Sequence, residues 1–519
     1  MEFDYVIVGA GSAGCVIANR LSAQPGISVA VLEAGGTDRK QEIRIPAAFP
    51  KVFKTAFDWN YATTKQAGLG NRELYWPRGK VLGGSSCINA MMWVRGVRED
   101  YDGWEVPGWS YDEVLPYFKK AEKRVGSNKG GVYGTEGVLH IEEQRSPNVT
   151  TLAFLKACEE RGLTRLDELN GPSNEGYSMT PVTQKRGRRW SAHDAYLKPV
   201  MARKNLTVLT NAQVERVVVE DGRASGVQYG SQTVTARKEV ILSAGTIGSP
   251  QLLMLSGIGE AAHLAEHGIP LVHELAGVGQ HLEDHLSVAV LRQCPQKVTL
   301  SSAERPLNVL RYLLWRTGPF TTNVGEAVVF LRSDPNLPAP DLELVFAPGP
   351  FVNHGLDKPT GEGVTVGVVL LQPDSVGSVR LASKNPADPP KLDAAYLTGE
   401  SDLARLRFGM REAEKLLATD ALKPYVGECY SPYPGGEDED VLERYIRENS
   451  ETLYHPVGTC RMGVDDASVV DPCLRVRGIE GLRVADASIM PRINRGHTHA
   501  PAIMIGEKAS DLIASTVSS

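Results

Sequence analysis

The sequence predicts a mixed α/β protein with two regions of different character. Residues 3–33 read as strand, glycine-rich turn, helix and strand, which is typical of a parallel sheet with packed helices. Residues 286–375 contain runs of β-forming residues separated by proline and glycine turns, which favours an antiparallel sheet. The runs are 286–291, 325–330, 341–346 and 363–371. The chain has 519 residues. That length corresponds to about three domains of average size, or to two large domains whose segments alternate along the chain.

Composition and charge exclude several classes of protein. Hydrophobic residues make up 42% and charged residues 23%, as in globular proteins and unlike disordered chains. The net charge is -6 and no long basic stripe is present, so we expect neither a nucleic-acid partner nor an anionic-membrane partner. No run approaches the roughly 18 apolar residues of a membrane helix, so we expect no membrane span. The seven cysteines form no C-x-x-C pair and no secretory leader precedes the first strand, which favours a cytoplasmic setting.

The first glycine-rich turn follows the strand-like run 3–8 directly. Gly9 permits a tight turn, Gly11 lets the backbone approach a pyrophosphate, and Gly14 lets the next helix pack closely on the strand. The helix N-terminus offers N–H groups to phosphates. Glu33 ends the second strand, where it can accept hydrogen bonds from a ribose diol and disfavours a 2′-phosphate. The unit predicts a dinucleotide site that disfavours NADP and leaves FAD and NAD open.

Two further segments are rich in small residues. Residues 79–89 include Gly83, Gly84 and Asn89, and the small side chains leave room for a flat ring or a phosphate. A packed loop leading into a buried helix is the alternative. Residues 245–259 follow a strand-like run and read as a turn, a short helix and a glycine stop.

Three histidines near the C-terminus lie in short segments flanked by glycine or proline. They are His455, His497 and His499. Such segments resemble pocket loops, and imidazole suits proton transfer near neutral pH. We expect structural or solvated roles for His140, His193, His263, His267, His273 and His354.

The chain resembles the glucose-methanol-choline (GMC) oxidoreductases over essentially its whole length, in their choline-dehydrogenase-like and alcohol-dehydrogenase-like branch. Segments 79–102 and 245–259 resemble the two signature patterns of that family and occur in the family's order. Further matching segments are 211–214 with 226–227, 278–285, 454–462 and 483–508.

The resemblance implies FAD rather than NAD as the cofactor. It places Gly9, Gly11, Gly14 and Glu33 at the adenosine diphosphate, Gly83, Gly84 and Asn89 at the flavin, Val214 at the adenine, and Asp486 and Ala487 at the ribityl–pyrophosphate end. Some relatives attach FAD covalently to a histidine at the position of Ile88. Isoleucine cannot form that link, so we expect noncovalent FAD.

The resemblance also implies an activity. His455 and His497 match a catalytic pair in front of flavin N5, and His499 matches a neighbour that is often polar. A histidine base would remove the hydroxyl proton while N5 accepts a hydride, oxidising a small-molecule alcohol to an aldehyde or ketone. We favour a dehydrogenase over an oxidase, and leave the electron acceptor open. A hydroxynitrile lyase that retains FAD, or a flavin protein without alcohol turnover, are the alternatives.

His281 and His285 are spaced four residues apart, as in some metal sites. They fall in a loop where the resemblance implies no metal, so we expect no metal site.

The cofactor-related segments are far apart, so the FAD-binding domain is expected to be discontinuous. We assign residues 1–155, 195–290 and 452–519 to it. A substrate-binding domain built on an antiparallel sheet takes residues 156–194 and 291–451.

Overall fold

A computed structural model describes residues 1–358 and 360–515. The strands, numbered β1–β22 in chain order, are Glu2–Val8, Val29–Glu33, Tyr61–Ala62, Tyr75–Trp76, Glu122–Arg124, Leu139–Ile141, Gly176–Met179, Leu206–Thr210, Arg216–Glu220, Arg223–Tyr229, Gln232–Leu242, Ile258–Gly259, His273–Glu274, Gln280–Leu282, Leu286–Gln293, Ala327–Leu331, Leu342–Ala347, Gly363–Leu370, Gly377–Arg380, Lys391–Asp393, Glu451–Thr452 and Leu482–Val484. The helices, α1–α11, are Ser12–Leu21, Gln41–Arg44, Arg98–Asp102, Tyr111–Ala121, Val149–Glu160, Gly245–Leu255, Ala261–Glu266, Pro306–Trp315, Asp402–Leu417, Glu439–Asn449 and His499–Ser515.

The first large sheet has strand order β8-β2-β1-β11-β10-β9, and β22 pairs with β11. Strands β8, β2, β1, β11 and β22 run parallel, while β10 pairs antiparallel with both β9 and β11. Every residue of β2 is buried, as expected for a parallel strand covered on both faces. Helix α1 packs against α11, and a Cβ at Gly506 would lie 2.9 Å from the Val16 Cβ, so glycine permits this close approach.

The second large sheet is antiparallel, with strand order β21-β15-β18-β17-β16-β7. Val368 of β18 pairs with Val288 of β15 on one side and Leu344 of β17 on the other. Strand β7 joins the sheet from a much earlier part of the chain by pairing with β16. The predicted mixed α/β fold, with a parallel region and an antiparallel region, is confirmed.

None of the helices within the described residues is long and apolar enough to cross a bilayer.

Candidate active site

One cavity of about 630 Å³ joins the two large sheets. Its wall includes Val8 and Ser243, at the carboxyl ends of the parallel strands β1 and β11. The opposite wall includes Val345 and Val369 of the antiparallel sheet. Ligands of open α/β sheets bind beyond the carboxyl ends of the strands, so the cavity lies where the first sheet predicts a site.

The glycine turn after β1 is folded tightly against the next parallel strand. Gly9 has φ +97°, and a Cβ there would lie 2.5 Å from the Ser243 carbonyl oxygen. A Cβ at Gly14 would lie 2.0 Å from the carbonyl oxygen of Gly9, so Gly14 is required for helix packing. Gly11 lines the cavity, and the nearest atom to its Cβ position is 3.9 Å away. The turn therefore presents bare backbone to the cavity.

Glu33 is buried beside this turn and lines the cavity. Its carboxylate accepts hydrogen bonds from the backbone N–H of Ala10 (2.9 Å) and of Gly35 (2.8 Å). Burial raises the pKa of Glu33 to about 7, although both N–H groups oppose the shift.

The second glycine-rich segment packs directly on the first. A Cβ at Gly84 would lie 2.8 Å from the Gly11 Cα, and Gly84 lines the cavity. Gly83 lies outside the cavity wall and donates its N–H to the Ala10 carbonyl (2.7 Å). Asn89 lines the cavity, and its Oδ1 accepts a hydrogen bond from Arg189 (2.6 Å).

The remaining predicted cofactor residues also meet at this cavity. Val214, Asp486 and Ala487 all line it, whereas Gly14 lies outside its wall, as Gly83 does. The Asp486 carboxylate is buried and accepts hydrogen bonds from the Gly245 N–H (2.9 Å) and the Ser249 hydroxyl (2.6 Å). It therefore fixes the start of α6 against the segment that follows β22.

His455 lies at the other end of the site. Its backbone N–H donates to Asp284 (2.7 Å), whose carboxylate also accepts from the hydroxyls of Thr452 (2.6 Å) and Tyr396. Burial raises the pKa of Asp284 to about 6. Burial, followed by the neighbouring His497 and His285, lowers the pKa of His455 well below its usual value.

A second buried histidine holds the His455 ring. The Nδ1 atoms of His285 and His455 lie 2.9 Å apart, and His285 Nε2 lies 3.0 Å from the Leu371 carbonyl oxygen. A carbonyl can only accept, so His285 Nε2 carries a proton. Burial lowers the pKa of His285 to about 3, so the ring is neutral and its Nδ1 accepts the Nδ1 proton of His455. His455 Nε2 is left as an unprotonated base.

His497 stands next to His455. The two ring centroids are 4.8 Å apart and the rings are nearly perpendicular, at 87°. His497 Nε2 lies 3.1 Å from Oε1 of Glu343, a fully buried carboxylate on β17. A contact of this kind with a buried carboxylate orients the imidazole ring.

His499 lies beside the glycine turn that follows β1 rather than in this pair. Its Nδ1 lies 3.0 Å from the Ser12 hydroxyl, one residue after Gly11, and its ring packs edge-on against Trp93. Burial lowers the pKa of His499 to about 4.

The two histidines considered as a metal pair have separate partners. His281 Nε2 lies 2.9 Å from the Pro491 carbonyl, while His285 contacts His455 and Leu371. Sequence reasoning missed the contact of His285 with His455 and the contact of Glu343 with His497. The four-residue spacing between His281 and His285 indicated only a possible metal ligand. Glu343 belongs to no motif that the sequence analysis recognised.

The chain is similar to known proteins over nearly its whole length. The family model for the N-terminal part of GMC oxidoreductases matches residues 3–287, and the model for the C-terminal part matches residues 373–506. An uncharacterised GMC-type oxidoreductase of Mycobacterium tuberculosis is 51% identical, with 99% of each chain covered. An alcohol dehydrogenase [acceptor] of Pseudomonas putida is 41% identical over 99% of this chain and 96% of its own.

A solved structure, pyridoxine 4-oxidase from Mesorbium loti, is 31% identical and superposes with a TM-score of 0.89, covering 98% of each chain. The chain therefore belongs to the GMC oxidoreductases, FAD-dependent enzymes that act on CH–OH donors.

Proposed function

We propose that this protein oxidises a small-molecule alcohol to an aldehyde or ketone, with His455 as the base and His497 as its partner, and that it works as a dehydrogenase rather than an oxidase. The observation that carries the proposal is that one cavity is lined both by Gly11, Glu33 and Gly84 and by the two histidines. The name of the Pseudomonas putida relative, an alcohol dehydrogenase [acceptor], supports the choice of dehydrogenase.

The residues of the cavity fit FAD. A Cβ at Gly245, which lines the cavity with φ +80°, would meet no atom within 4 Å, so the wall there is open backbone. The Gly11 turn and the N-terminus of α1 would hold the pyrophosphate, and Glu33 would hold the ribose. FAD supplies, when bound, the acceptor for the hydride that leaves the substrate carbon.

The histidine contacts divide the proton chemistry between two rings. His455 Nε2 is the unprotonated atom, so it takes the hydroxyl proton of the substrate. His497, paired with the carboxylate of Glu343, offers a second polar ring that positions the oxygen and stabilises the developing negative charge. An alcohol without its proton releases hydride far more readily, so the two rings prepare the substrate for oxidation.

The proposal is tested by mixing the FAD-loaded enzyme anaerobically with primary alcohols, aromatic alcohols, choline and sugars. We expect at least one class to bleach the flavin. His455→Ala should retain FAD and bleach at least roughly 10²-fold more slowly, which is the usual size of general-base help. His140→Ala is the control, because His140 lies outside the cavity wall and packs on Trp190.

Three outcomes would each contradict a part of the proposal. Near-normal bleaching in His455→Ala would remove His455 from the role. Turnover without bleaching of the flavin would point to a lyase. Formation of hydrogen peroxide in air at the rate of alcohol turnover would make the enzyme an oxidase.

FAD is proposed to bind noncovalently. Ile88 lines the cavity and is buried, and an aliphatic side chain cannot form the histidyl link. Acid denaturation followed by filtration should release all of the flavin from the polypeptide. Flavin retained on the chain would reject this point.

The domain division and the cellular setting are also proposals. Strand β7 lies in residues 156–194 and pairs with β16, which supports assigning 156–194 and 291–451 to one substrate-binding domain. Residues 1–155, 195–290 and 452–519 would form the FAD-binding domain; residues 359 and 516–519 lie outside the described part of the chain. All seven cysteines are free thiols, which supports a reducing, cytoplasmic setting.

A further inference from the structure

Helix α8 (Pro306–Trp315) presents apolar side chains to solvent. Tyr312 is buried and anchors the helix, because its hydroxyl donates to the Gly187 carbonyl at 3.2 Å. The exposed set, called here the α8 apolar face, is Leu307, Val309, Leu310, Leu313, Leu314 and Trp315. Leu307 is 74% exposed and Trp315 is 63% exposed. A contiguous apolar patch of this kind marks an interaction site.

Positive charge surrounds the α8 apolar face. Residues 305–325 contain three arginines and neither aspartate nor glutamate, although the whole chain carries a net charge of -6. The turn that holds Tyr312 contributes exposed Arg186 and Arg188 next to Gly187. Glu304, just before the helix, is paired with Lys51 at 2.8 Å. Arg311 is exposed among these apolar side chains, one helical turn from Leu307 and Trp315. The patch is therefore apolar and carries positive charge.

We propose that the α8 apolar face docks on an anionic lipid bilayer surface. A short helix that exposes leucine and tryptophan together with arginine lies in the plane of the interface. Its apolar side chains enter the acyl boundary while the arginines meet lipid phosphates. The tryptophan at the end of α8 suits the headgroup level, where aromatic side chains are enriched.

Charge also argues against a second copy of this chain as the occupant. A symmetric contact through α8 would place the exposed Arg311 of both copies at one interface, and like charges at an interface are unfavourable. A bilayer of anionic lipid has the opposite charge and needs no shape complementarity.

Docking through α8 would bring one wall of the cavity close to the bilayer. The segment Pro319–Thr321, just after α8, packs against Pro46–Val52. Phe49 of that second segment lines the cavity. The docking surface and the site of alcohol oxidation are therefore neighbours, although the docking proposal does not depend on the reaction.

The test is co-sedimentation of the FAD-loaded enzyme with vesicles of phosphatidylcholine alone or mixed in equal parts with phosphatidylglycerol. We expect binding to the mixed vesicles, weakened by salt, and little binding to the neutral ones. The double variant Leu310→Glu/Leu314→Glu should bind at least about tenfold more weakly, because two inserted leucines are lost. Its FAD content and its activity with a soluble dye should be unchanged.

The matched control is Leu271→Glu, since Leu271 is another exposed leucine, 51% accessible, on a loop outside α8. It should bind vesicles as the unaltered protein does. Equal vesicle binding by the double variant, or no binding by the unaltered protein, would overturn the proposal. So would a change from dimer to monomer in the double variant without vesicle binding, which would assign the face to a second copy of this chain.

Discussion

His455 is oriented by side chains that come from distant parts of the sequence. Asp284 holds its backbone N–H and His285 holds its ring, and both precede it by about 170 residues. The glycine- and proline-flanked segment around His455 indicated a pocket residue from sequence alone. Its tautomer could not be predicted, because that depends on the Leu371 carbonyl behind His285, a contact that only the folded sheet creates.

His285→Ala is expected to slow flavin reduction by alcohol roughly 10²-fold, the typical loss for a misplaced catalytic group. The variant lacks the acceptor that keeps the proton on His455 Nδ1, so His455 Nε2 is no longer held as a free base. Anaerobic rapid mixing over a range of pH measures the effect. His285→Gln can still offer an acceptor and a donor, and should recover part of the rate. An unchanged rate and pH profile in His285→Ala would contradict the positioning role.

Glu343→Gln should reduce the rate about fivefold. The amide oxygen can still accept from His497 Nε2, but a charge-assisted hydrogen bond becomes a neutral one, a loss of about 1 kcal/mol. The expected effect is on kcat rather than KM, because His497 acts on the developing charge. A fall in alcohol affinity at constant kcat would assign Glu343 to ground-state binding instead.

Glu33 should make FAD binding depend on pH. Burial raises the pKa of this carboxyl to about 7 in the protein without ligand. Ribose hydroxyls that donate to the carboxylate stabilise its ionised form, so FAD lowers the pKa and binding releases a proton. Affinity should therefore rise with pH up to about 7, and fall by up to about tenfold per pH unit below it.

Titrating the apoprotein with FAD between about pH 5 and 8 measures how the affinity depends on Glu33 protonation. That range brackets the Glu33 pKa of about 7. The glutamine of Glu33→Gln cannot ionise. This variant should therefore bind FAD more weakly, and without the pH dependence that Glu33 causes. The same pH dependence in Glu33→Gln as in the unaltered protein would assign the effect to another group.

At the scale of elements, the turn after β1 and the segment 79–89 act as one structure. The family resemblance assigned the turn to the adenosine diphosphate and Gly84 to the flavin, and the structure packs Gly84 directly against Gly11. This contact could not be predicted, because nothing in either segment specifies how the two approach each other.

Gly84→Ala should strongly reduce FAD retention. The new Cβ would lie 2.8 Å from the Gly11 Cα, so the two backbones must separate where we propose that the pyrophosphate binds. Gly230→Ala is the matched control, because Gly230 has the same φ of +52° with no atom within 4 Å of its Cβ position. It should show only the left-handed backbone penalty of roughly 1–2 kcal/mol, with FAD retained.

Equal FAD retention in Gly84→Ala and Gly230→Ala would show that the contact between the two glycine segments is not needed for binding the cofactor. Flavin absorbance after gel filtration, together with the thermal midpoint of each variant, separates loss of FAD from loss of stability.

The strands of the antiparallel sheet were largely predictable. Runs expected at 286–291, 325–330, 341–346 and 363–371 correspond to β15, β16, β17 and β18 within two residues at each end, because β-branched residues cluster between turns. Helix α8 was not predicted as a feature of interest, since its leucines are typical of a core helix, and only their exposure sets it apart.

At the scale of the whole molecule, the site depends on contacts between residues far apart in sequence. The order of motifs predicted the family and a discontinuous cofactor region. It did not predict that β7 and β21 would close the two ends of the antiparallel sheet, or that this sheet would form the wall facing the glycine turns. Hydrophobic periodicity identifies individual strands, whereas such pairings depend on the tertiary packing.

A structure of the enzyme loaded with FAD tests the central claim most directly. We predict that the pyrophosphate lies against the Gly11 turn, the ribose against Glu33, and the isoalloxazine edge before the rings of His455 and His497. A flavin bound elsewhere, or one whose reactive edge faces away from both histidines, would contradict the account.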